Sequence, residues 1–372
     1  MKKLTTIQLF KNIQQLVQQS RRELYQVANI TLVETNYHIG RMIVEYEQQG
    51  SSRAGYAKET LKNLSEKLSS ALGPGFSVDN LENMRKFYLV YKDEYNKHVL
   101  QNQKSETLSR KSAKLKKSEP VARKLGTGQK SEPVARKLEL SPFKLTWTNY
   151  VILLRIEDEN ERKFYEIEAV NENWGKRELQ RQYDSALYER LILSRNKKKV
   201  KELSKKGHVV SRASDAVKDP YILEFLDLPQ KDTYSESDLE AAIISKLEHF
   251  LLELGKGFLF VERQKRIRLD GDDYRIDLVL YHRILRCFVI IDLKIGTLQH
   301  KDLGQMQMYV NYYDEEVKAP EENKTIGIIL CKHKKESTIR YTLGKDNKQI
   351  FASKYKMYFP EKQLLKIVRG TV

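Results

Sequence analysis

Two apolar segments near the C-terminal end carry charged residues where a buried strand should be apolar. Asp277 interrupts residues 276–280, and Asp292 and Lys294 interrupt residues 288–294. Successive side chains of a strand alternate between its faces, so Asp292 and Lys294 are predicted to share one face. A carboxylate is costly to bury in such a segment unless a cation receives it. The pattern indicates a functional site, and a structural Asp–Lys pair at a strand end is the alternative.

The chemistry that fits these residues is metal-assisted reaction at a phosphate. Asp277 on a neighbouring strand can approach Asp292, and two adjacent carboxylates repel each other. A bound Mg²⁺ relieves that repulsion, with Mn²⁺ as a substitute. Lys294 would then orient or activate water, or stabilise the charge that grows on the phosphate.

Flanking helices offer further polar groups. Glu240 lies near the start of the preceding helix, where an exposed acid favoured by the helix dipole is the alternative interpretation. Gln305 and Tyr309 are four residues apart and share a helix face, so both can hydrogen-bond a phosphate, unless they are ordinary polar helix positions. Arg263 and Gln264 either contact phosphate beside this site or pack against their neighbours.

The spacing of apolar residues in the C-terminal part predicts alternating helices and strands. We expect a helix at 238–254, strands at 258–262, 274–280 and 286–294, a helix at 301–313 and a strand at 325–331. This order is typical of an α/β or α+β domain built around a mixed sheet.

The N-terminal part has helical periodicity. A helix is predicted from residue 6 to about 49, a second at 56–72, and a third that Ser77 caps and that runs towards residue 97. The turn at 73–75 gives the outline of a helix-turn-helix, in which Arg85 and Lys86 would offer charge to phosphate. A helical bundle with a solvated basic face is the alternative.

A thirteen-residue repeat follows, and its second and third copies, at 117–125 and 130–138, are identical over nine residues. We expect a flexible insertion in a loop between helices, at about 97–142. Residues 145–206 are again predicted to be helical. Their basic residues, which include Arg177 and Arg181, form either a phosphate track or a solvated face.

The net charge of +17 favours a polyanionic partner such as DNA, with RNA as an open alternative. About half of the excess lies in the insertion, because residues 97–139 hold twelve Lys and Arg against four Glu. The sequence has neither a membrane-length apolar run nor the apolar core of a signal peptide, so we expect no membrane partner. Cys287 and Cys331 lie in apolar strands and are predicted to be buried thiols, which favours a reducing cytoplasm.

Several short segments together resemble a known family. They are residues 73–77 (GPGFS), 147–150 (WTNY), 219–226 (DPYILEFL), 250–258 (FLLELGKGF), 263–264 (RQ), 274–278 (YRIDL), 291–294 (IDLK) and 304–306 (GQM). The chain is similar here to the YhcG-like family of PD-(D/E)xK nuclease-domain proteins, in the Holliday-junction-resolvase-like branch of that superfamily. The resemblance covers nearly the whole chain except the repeat insertion.

The resemblance implies a helical N-terminal domain, which we place at 1–206, and a restriction-endonuclease-like nuclease domain, which we place at 215–372. The helix-turn-helix outline and the basic residues predict that the first domain binds DNA. Carried over by position, it implies that Glu240, Asp277 and Asp292 bind metal, with Lys294 and Gln305 completing the catalytic set. The family usually has Glu in the acid-x-Lys motif, where this chain has the shorter Asp292.

The function that these observations predict is metal-dependent hydrolysis of DNA phosphodiester bonds. A homodimer would suit this function, because many nucleases of this type cut two strands as dimers. The alternative is a catalytically weak or inactive nucleic-acid-binding protein, an accessory of a DNA-processing or defence system.

Overall fold

A computed structural model describes residues 6–49, 54–114, 141–193, 197–228, 234–344 and 346–359. The chain divides into two compact units, Met1–Arg162 and Lys163–Val372. Most of the repeat insertion, residues 115–140, lies outside the described residues.

The first unit is helical, as predicted. Its helices are α1 (Thr6–Gln49), α2 (Ala54–Leu72), α3 (Val78–Lys114) and α4 (Trp147–Leu153), followed by α5 (Glu159–Asn171), which crosses into the second unit. Ser77 Oγ accepts a 3.3 Å hydrogen bond from the Asn80 amide, which confirms the predicted cap. The expected end of this helix near residue 97 was wrong: α3 continues to Lys114, because residues 78–114 contain no Pro or Gly to stop it.

The core of the first unit forms where α1 and α3 cross. Gly40 lies at this crossing, and a Cβ added there would stand 2.0 Å from the Met84 carbonyl oxygen. Ile43, Leu81 and Met84 are buried beside it. The close approach of the two helices therefore requires a residue without a side chain at position 40.

The second unit is a mixed sheet with helices around it. Its remaining elements are α6 (Lys176–Asp184), α7 (Leu187–Leu193), α8 (Lys197–Lys206), α9 (Ala213–Ala216), β1 (Tyr221–Ile222), α10 (Glu236–Ser245), α11 (Leu247–Leu254), β2 (Phe258–Leu269), β3 (Asp272–His282), β4 (Cys287–Thr297), α12 (His300–Tyr312), β5 (Ile326–His333), α13 (Glu336–Leu343) and β6 (Ile350–Lys356). The strand order is β1-β6-β5-β4-β3-β2. β3 is antiparallel to both of its neighbours, β2 and β4, whereas β4, β5, β6 and β1 are parallel. The mixed sheet and the α+β class are therefore as predicted.

Helices cover the two faces of this sheet. On one face, Leu239 and Ile243 of α10 and Phe250 of α11 pack against β3 and β4. On the other, Leu303 and Met306 of α12 pack against β4 and β5. The end of β4 that carries Asp292 and Lys294 therefore lies between α10 and α12.

Two expectations about these elements were wrong. The single helix expected at 238–254 is interrupted at Lys246, which leaves the helical conformation and donates to the Phe225 carbonyl. β2 extends to Leu269, beyond the expected end at residue 262. The prediction missed its second half because those residues are mostly charged and lie on an edge strand, so they lack an apolar pattern. The prediction of helices within residues 145–206 is confirmed, since the described residues there form the separate short helices α4 to α8.

A buried ionic cluster joins α6, α7 and α11. The Glu253 carboxylate is fully buried and accepts from Arg190 at 2.7 Å, the Ile222 amide at 3.0 Å and Arg181 at 3.3 Å. Lys218 donates to the Glu253 carbonyl oxygen. These bonds satisfy a carboxylate that would otherwise be costly to bury.

Candidate active site

The predicted site lies where β3 and β4 separate. The two strands pair as far as Leu278 and Ile291. Beyond that pair, the Asp277 side chain takes the place of a backbone carbonyl as the acceptor. Its Oδ2 accepts a 2.8 Å hydrogen bond from the Leu293 amide. The carboxylate of Asp277 therefore lies against the β4 backbone between Asp292 and Lys294.

Asp292 and Lys294 are on the same side of β4, as predicted. Lys294 Nζ lies 2.8 Å from Asp292 Oδ2, an ion-pair contact without the alignment of a hydrogen bond. Asp292 is 3% exposed, so its charge has little access to water. Burial raises the pKa of Asp292 to about 7; Lys294 opposes this shift, and Asp277 and Glu236 add to it. Burial lowers the pKa of Lys294, but the carboxylates of Asp292, Glu236 and Asp277 outweigh burial, so the pKa is raised overall.

Glu236 belongs to the site and was not predicted. Its Oε2 lies 3.7 Å from Lys294 Nζ, and its Oε1 accepts from the Ile295 amide at 3.4 Å. Ser235 and Asp238 form a capping box that fixes the start of α10, where Glu236 lies. The sequence held one signal for it: Glu236 is four residues before Glu240, on the same helix face.

Gln264 links Glu240 to Asp277. Its Nε2 donates to Glu240 Oε2 at 2.6 Å and to Asp277 Oδ1 at 3.1 Å. Burial raises the pKa of Glu240; the Gln264 hydrogen bond opposes this, and Asp277 adds to it. Glu240 is thus linked to Asp277 through the amide of Gln264.

Gln305 and Tyr309 form a short chain of hydrogen bonds on α12. Gln305 Nε2 donates to the Tyr309 hydroxyl, which donates to the Arg275 carbonyl oxygen at 2.9 Å. Tyr309 is fully buried, so it fixes Gln305 and has no surface of its own for a nucleic acid.

The donor groups suit Mg²⁺, which binds carboxylate oxygens. Glu240, Asp277 and Asp292 supply such oxygens at one end of the sheet, and the nearly inaccessible Asp292 Oδ2 has an ion-pair partner but no hydrogen bond. Among the described residues, no three His, Cys, Asp or Glu side chains are grouped closely enough to hold an ion as they stand. The donor chemistry therefore fits the cation, and the arrangement has to tighten around it.

The residues predicted to contact nucleic acid fall into two groups. Lys86, Arg177 and Arg263 are exposed. Arg85 is ion-paired with Glu47 at 2.7 Å. The prediction for Arg181 was wrong. Its side chain is 11% exposed and ion-paired with Glu224 and Glu253, so it does not offer its charge to a phosphate.

A basic groove that was not predicted lies beside the candidate site. It is lined by Lys332 and His333 of β5, Lys354 and Lys356 of β6, and the following Tyr358. Cys331, just before it, is paired with Lys294 on one side and with Lys354 on the other. The groove and the carboxylates are therefore at the same end of the parallel strands.

Comparison with known proteins assigns the class. Residues 214–369 match the family model described as "YhcG PDDEXK nuclease domain", and residues 12–190 match the "DUF1016 N-terminal domain". Residues 214–369 are thus a nuclease domain of the PDDEXK type, and the predicted hydrolase class is confirmed.

One relative spans almost the whole chain. The Escherichia coli (strain K12) protein named "Putative nuclease YhcG" is 38% identical over 358 residues, which is 96% of this chain and 92% of the relative. The chain belongs to the YhcG family of PDDEXK nuclease-domain proteins, so the predicted resemblance is confirmed.

Solved structures match a smaller part. A repair endonuclease from Pyrococcus abyssi has 15% identity and a TM-score of 0.23 over 36% of this chain. A structure titled "Structure of EndoMS-dsDNA2 complex" has 16% identity and a TM-score of 0.25 over the same share. The chain spans about half the length of each.

Two smaller expectations concern the rest of the chain. Cys287 and Cys331 are buried and unpaired, as predicted. No helix in the described parts of the chain has the length and apolar character needed to cross a membrane.

Proposed function

We propose that the protein is a Mg²⁺-dependent nuclease that hydrolyses phosphodiester bonds of DNA. The observation that carries the proposal is the position of Asp277, bonded to the β4 backbone between Asp292 and Lys294. Acids from separate strands and a lysine thus share one place at the end of the sheet, next to a basic groove.

Each side chain has a distinct part in this proposal. Glu240, Asp277 and Asp292 hold the cation, with Mn²⁺ able to replace Mg²⁺. When bound, the cation supplies Lewis-acid stabilisation of the charge on the scissile phosphate. Lys294, held by Asp292 and Glu236, keeps its proton and directs its ammonium at the attacking water or at a phosphate oxygen.

Gln305 and the basic groove position the substrate. Tyr309 fixes the Gln305 side chain, which donates to the phosphate next to the cleaved bond. Lys354 and Lys356 contact phosphates further along the strand, and exposed Arg263 contacts them at the edge of β2. Lys86 and Arg177, on basic helices within residues 1–206, supply further phosphate contacts, and a homodimer would allow both strands to be cut.

The test compares wild-type protein with Asp277→Asn on linear, branched and single-stranded DNA and on RNA. Asn keeps an acceptor for the Leu293 amide and removes the charge, so the strands stay in place. We expect cleavage of DNA by the wild type with Mg²⁺ and none with EDTA. The variant should bind DNA with wild-type affinity and cut at least ~100-fold more slowly. Equal cleavage by both proteins contradicts the assignment.

A second candidate function is nucleic-acid binding with weak or no catalysis. It is favoured by one observation: no three metal-binding side chains are grouped around one point among the described residues. A metal titration separates the two functions. If Mg²⁺ and Mn²⁺ change neither the melting temperature nor DNA cleavage while DNA binding persists, the second function is the correct one.

A further inference from the structure

The backbone of Gln264 is in a conformation that its neighbours on β2 do not share. Arg263 and Lys265 pair regularly with Leu278 and Ile276 of β3. Gln264 between them has φ of 49°, in the left-handed region that a residue with a Cβ adopts at a cost. Such a conformation persists only where surrounding contacts hold it, and it often marks a functional position.

The contacts that hold Gln264 are those to the two acids. Its amino group has two hydrogens; one bond runs to Glu240 Oε2 at 2.6 Å and the other to Asp277 Oδ1 at 3.1 Å. Carboxylates only accept hydrogen bonds, so the amino end of the amide must face them and the carbonyl end must face away. The backbone distortion thus brings two donors between two acids that would otherwise repel each other.

A neutral amide is suited to a temporary role at this point. Lys or Arg there would hold the acids with a full positive charge and would compete with a divalent cation. The amide offers only partial charges, so a cation between the same oxygens interacts far more strongly with them. Resting on the proposed function, we propose that Gln264 occupies the metal-free site and that its amino group leaves Glu240 and Asp277 when a divalent cation binds.

This proposal accounts for the absence of a ready-made metal cluster among the described residues. Because the amide lies between Glu240 and Asp277, their oxygens cannot converge until it moves. Its two hydrogen bonds then stabilise only the metal-free protein. Removing them should destabilise that state alone, and by linkage the variant should bind the cation more tightly.

The test uses Gln264→Leu, which keeps the size of the side chain and removes its donors, and Gln264→Glu, which adds an acid. Gln307→Leu is the matched control, since Gln307 is exposed and its side chain donates to Asn311 on the same helix. The melting temperature is measured with EDTA and with saturating Mg²⁺, and Mn²⁺ affinity by titration calorimetry.

We expect Gln264→Leu to melt well below wild type in EDTA and close to it in Mg²⁺, and to bind Mn²⁺ about 10-fold more tightly. Gln264→Glu should bind more tightly still, and Gln307→Leu should match wild type. A variant that folds only with metal supports the proposal. The same loss of stability in both conditions, or weaker Mn²⁺ binding by Gln264→Leu, overturns it. If wild-type protein itself binds no metal, the proposed function fails first and this inference with it.

Discussion

The carboxylate of Asp277 takes over a position in the β3–β4 ladder by accepting the hydrogen bond of the Leu293 amide, 2.8 Å away. One side chain therefore completes the hydrogen bonding of the sheet and, in the proposed function, binds the metal. The two roles can be separated by substitution, because the Leu293 amide needs only an acceptor and the metal needs a negative charge.

The first prediction concerns the contribution of the Asp277–Leu293 hydrogen bond to stability. Asp277→Ala leaves the Leu293 amide without its acceptor and should lower the free energy of unfolding by about 1–3 kcal/mol. Asp277→Asn keeps the acceptor for Leu293 and loses only the Gln264 bond, which both variants lose, so it should be more stable than Asp277→Ala by about 1 kcal/mol. Urea denaturation of both variants with EDTA gives the comparison; similar losses would show that the bond to Leu293 contributes little.

Lys294 should matter for the rate and little for binding. Its ammonium is held by Asp292 at 2.8 Å and by Glu236 at 3.7 Å, which fixes it at the end of β4. Lys294→Ala should lower the single-turnover cleavage rate by about 100- to 1,000-fold and leave DNA affinity within about threefold of wild type. Lys301→Ala, at an exposed position of α12, is the control. A Lys294 variant that cuts at the wild-type rate would exclude the lysine from the reaction.

The groove on β5 and β6 should contribute phosphate contacts. Lys354→Ala should weaken DNA binding equally for all sequences and reduce the slope of log affinity against log salt by about 1. Lys324→Ala removes an exposed lysine just before β5, at the opposite end of the strands, and should leave the slope unchanged. Affinities measured from 50 to 200 mM salt decide the matter, and identical slopes for the two variants would exclude the groove.

Acid should weaken the second unit through Glu253. Burial alone would raise the pKa of Glu253, but Arg190, Lys218 and Arg181 outweigh it and lower the pKa to about 2. An unfolded Glu has a pKa of about 4.3, so the unfolded chain takes up the proton first. The contribution of this charge is complete above pH ~4.3 and is lost as the pH falls towards 2, by about 3 kcal/mol in all.

A variant isolates that titration. Glu253→Gln has no charge to lose, so the stability gap between wild type and this variant should narrow as the pH falls from about 4.5 to 2. Denaturation curves across this pH range give the gap. Glu248 is an exposed acid on the same helix, and Glu248→Gln should show no such change of stability difference with pH. A constant gap would mean that the charge of Glu253 is not held by its neighbours.

The sequence predicted what depends on short-range periodicity. Alternation along a strand placed Asp292 and Lys294 together, and helix spacing placed Gln305 over Tyr309. What it missed depends on contacts between distant segments. Arg181 appears on a basic helix, but its partner Glu224 lies 43 residues later. The side chain of Gln264 reaches the acids because the backbone there has a positive φ. A positive φ is predictable from sequence mainly at Gly, so it was not expected at a glutamine.

The same limit applies to strands and to ion pairs. β1 has two residues and pairs with β6, more than 130 positions away, so local patterns do not reveal it. Glu236 meets Lys294 only because α10 packs on β4. The elements that position the site were therefore mostly predictable, and the bonds that complete it were not.

The central claim is that Asp277 and Asp292 bind one divalent cation together. Calorimetric titration of Mn²⁺ into wild type, Asp292→Asn and Asp277→Asn tests it without requiring activity. The account predicts one tight site per chain in the wild type and at least ~10-fold weaker binding in each variant. Wild-type affinity in both variants, or no binding by the wild-type protein, would contradict it.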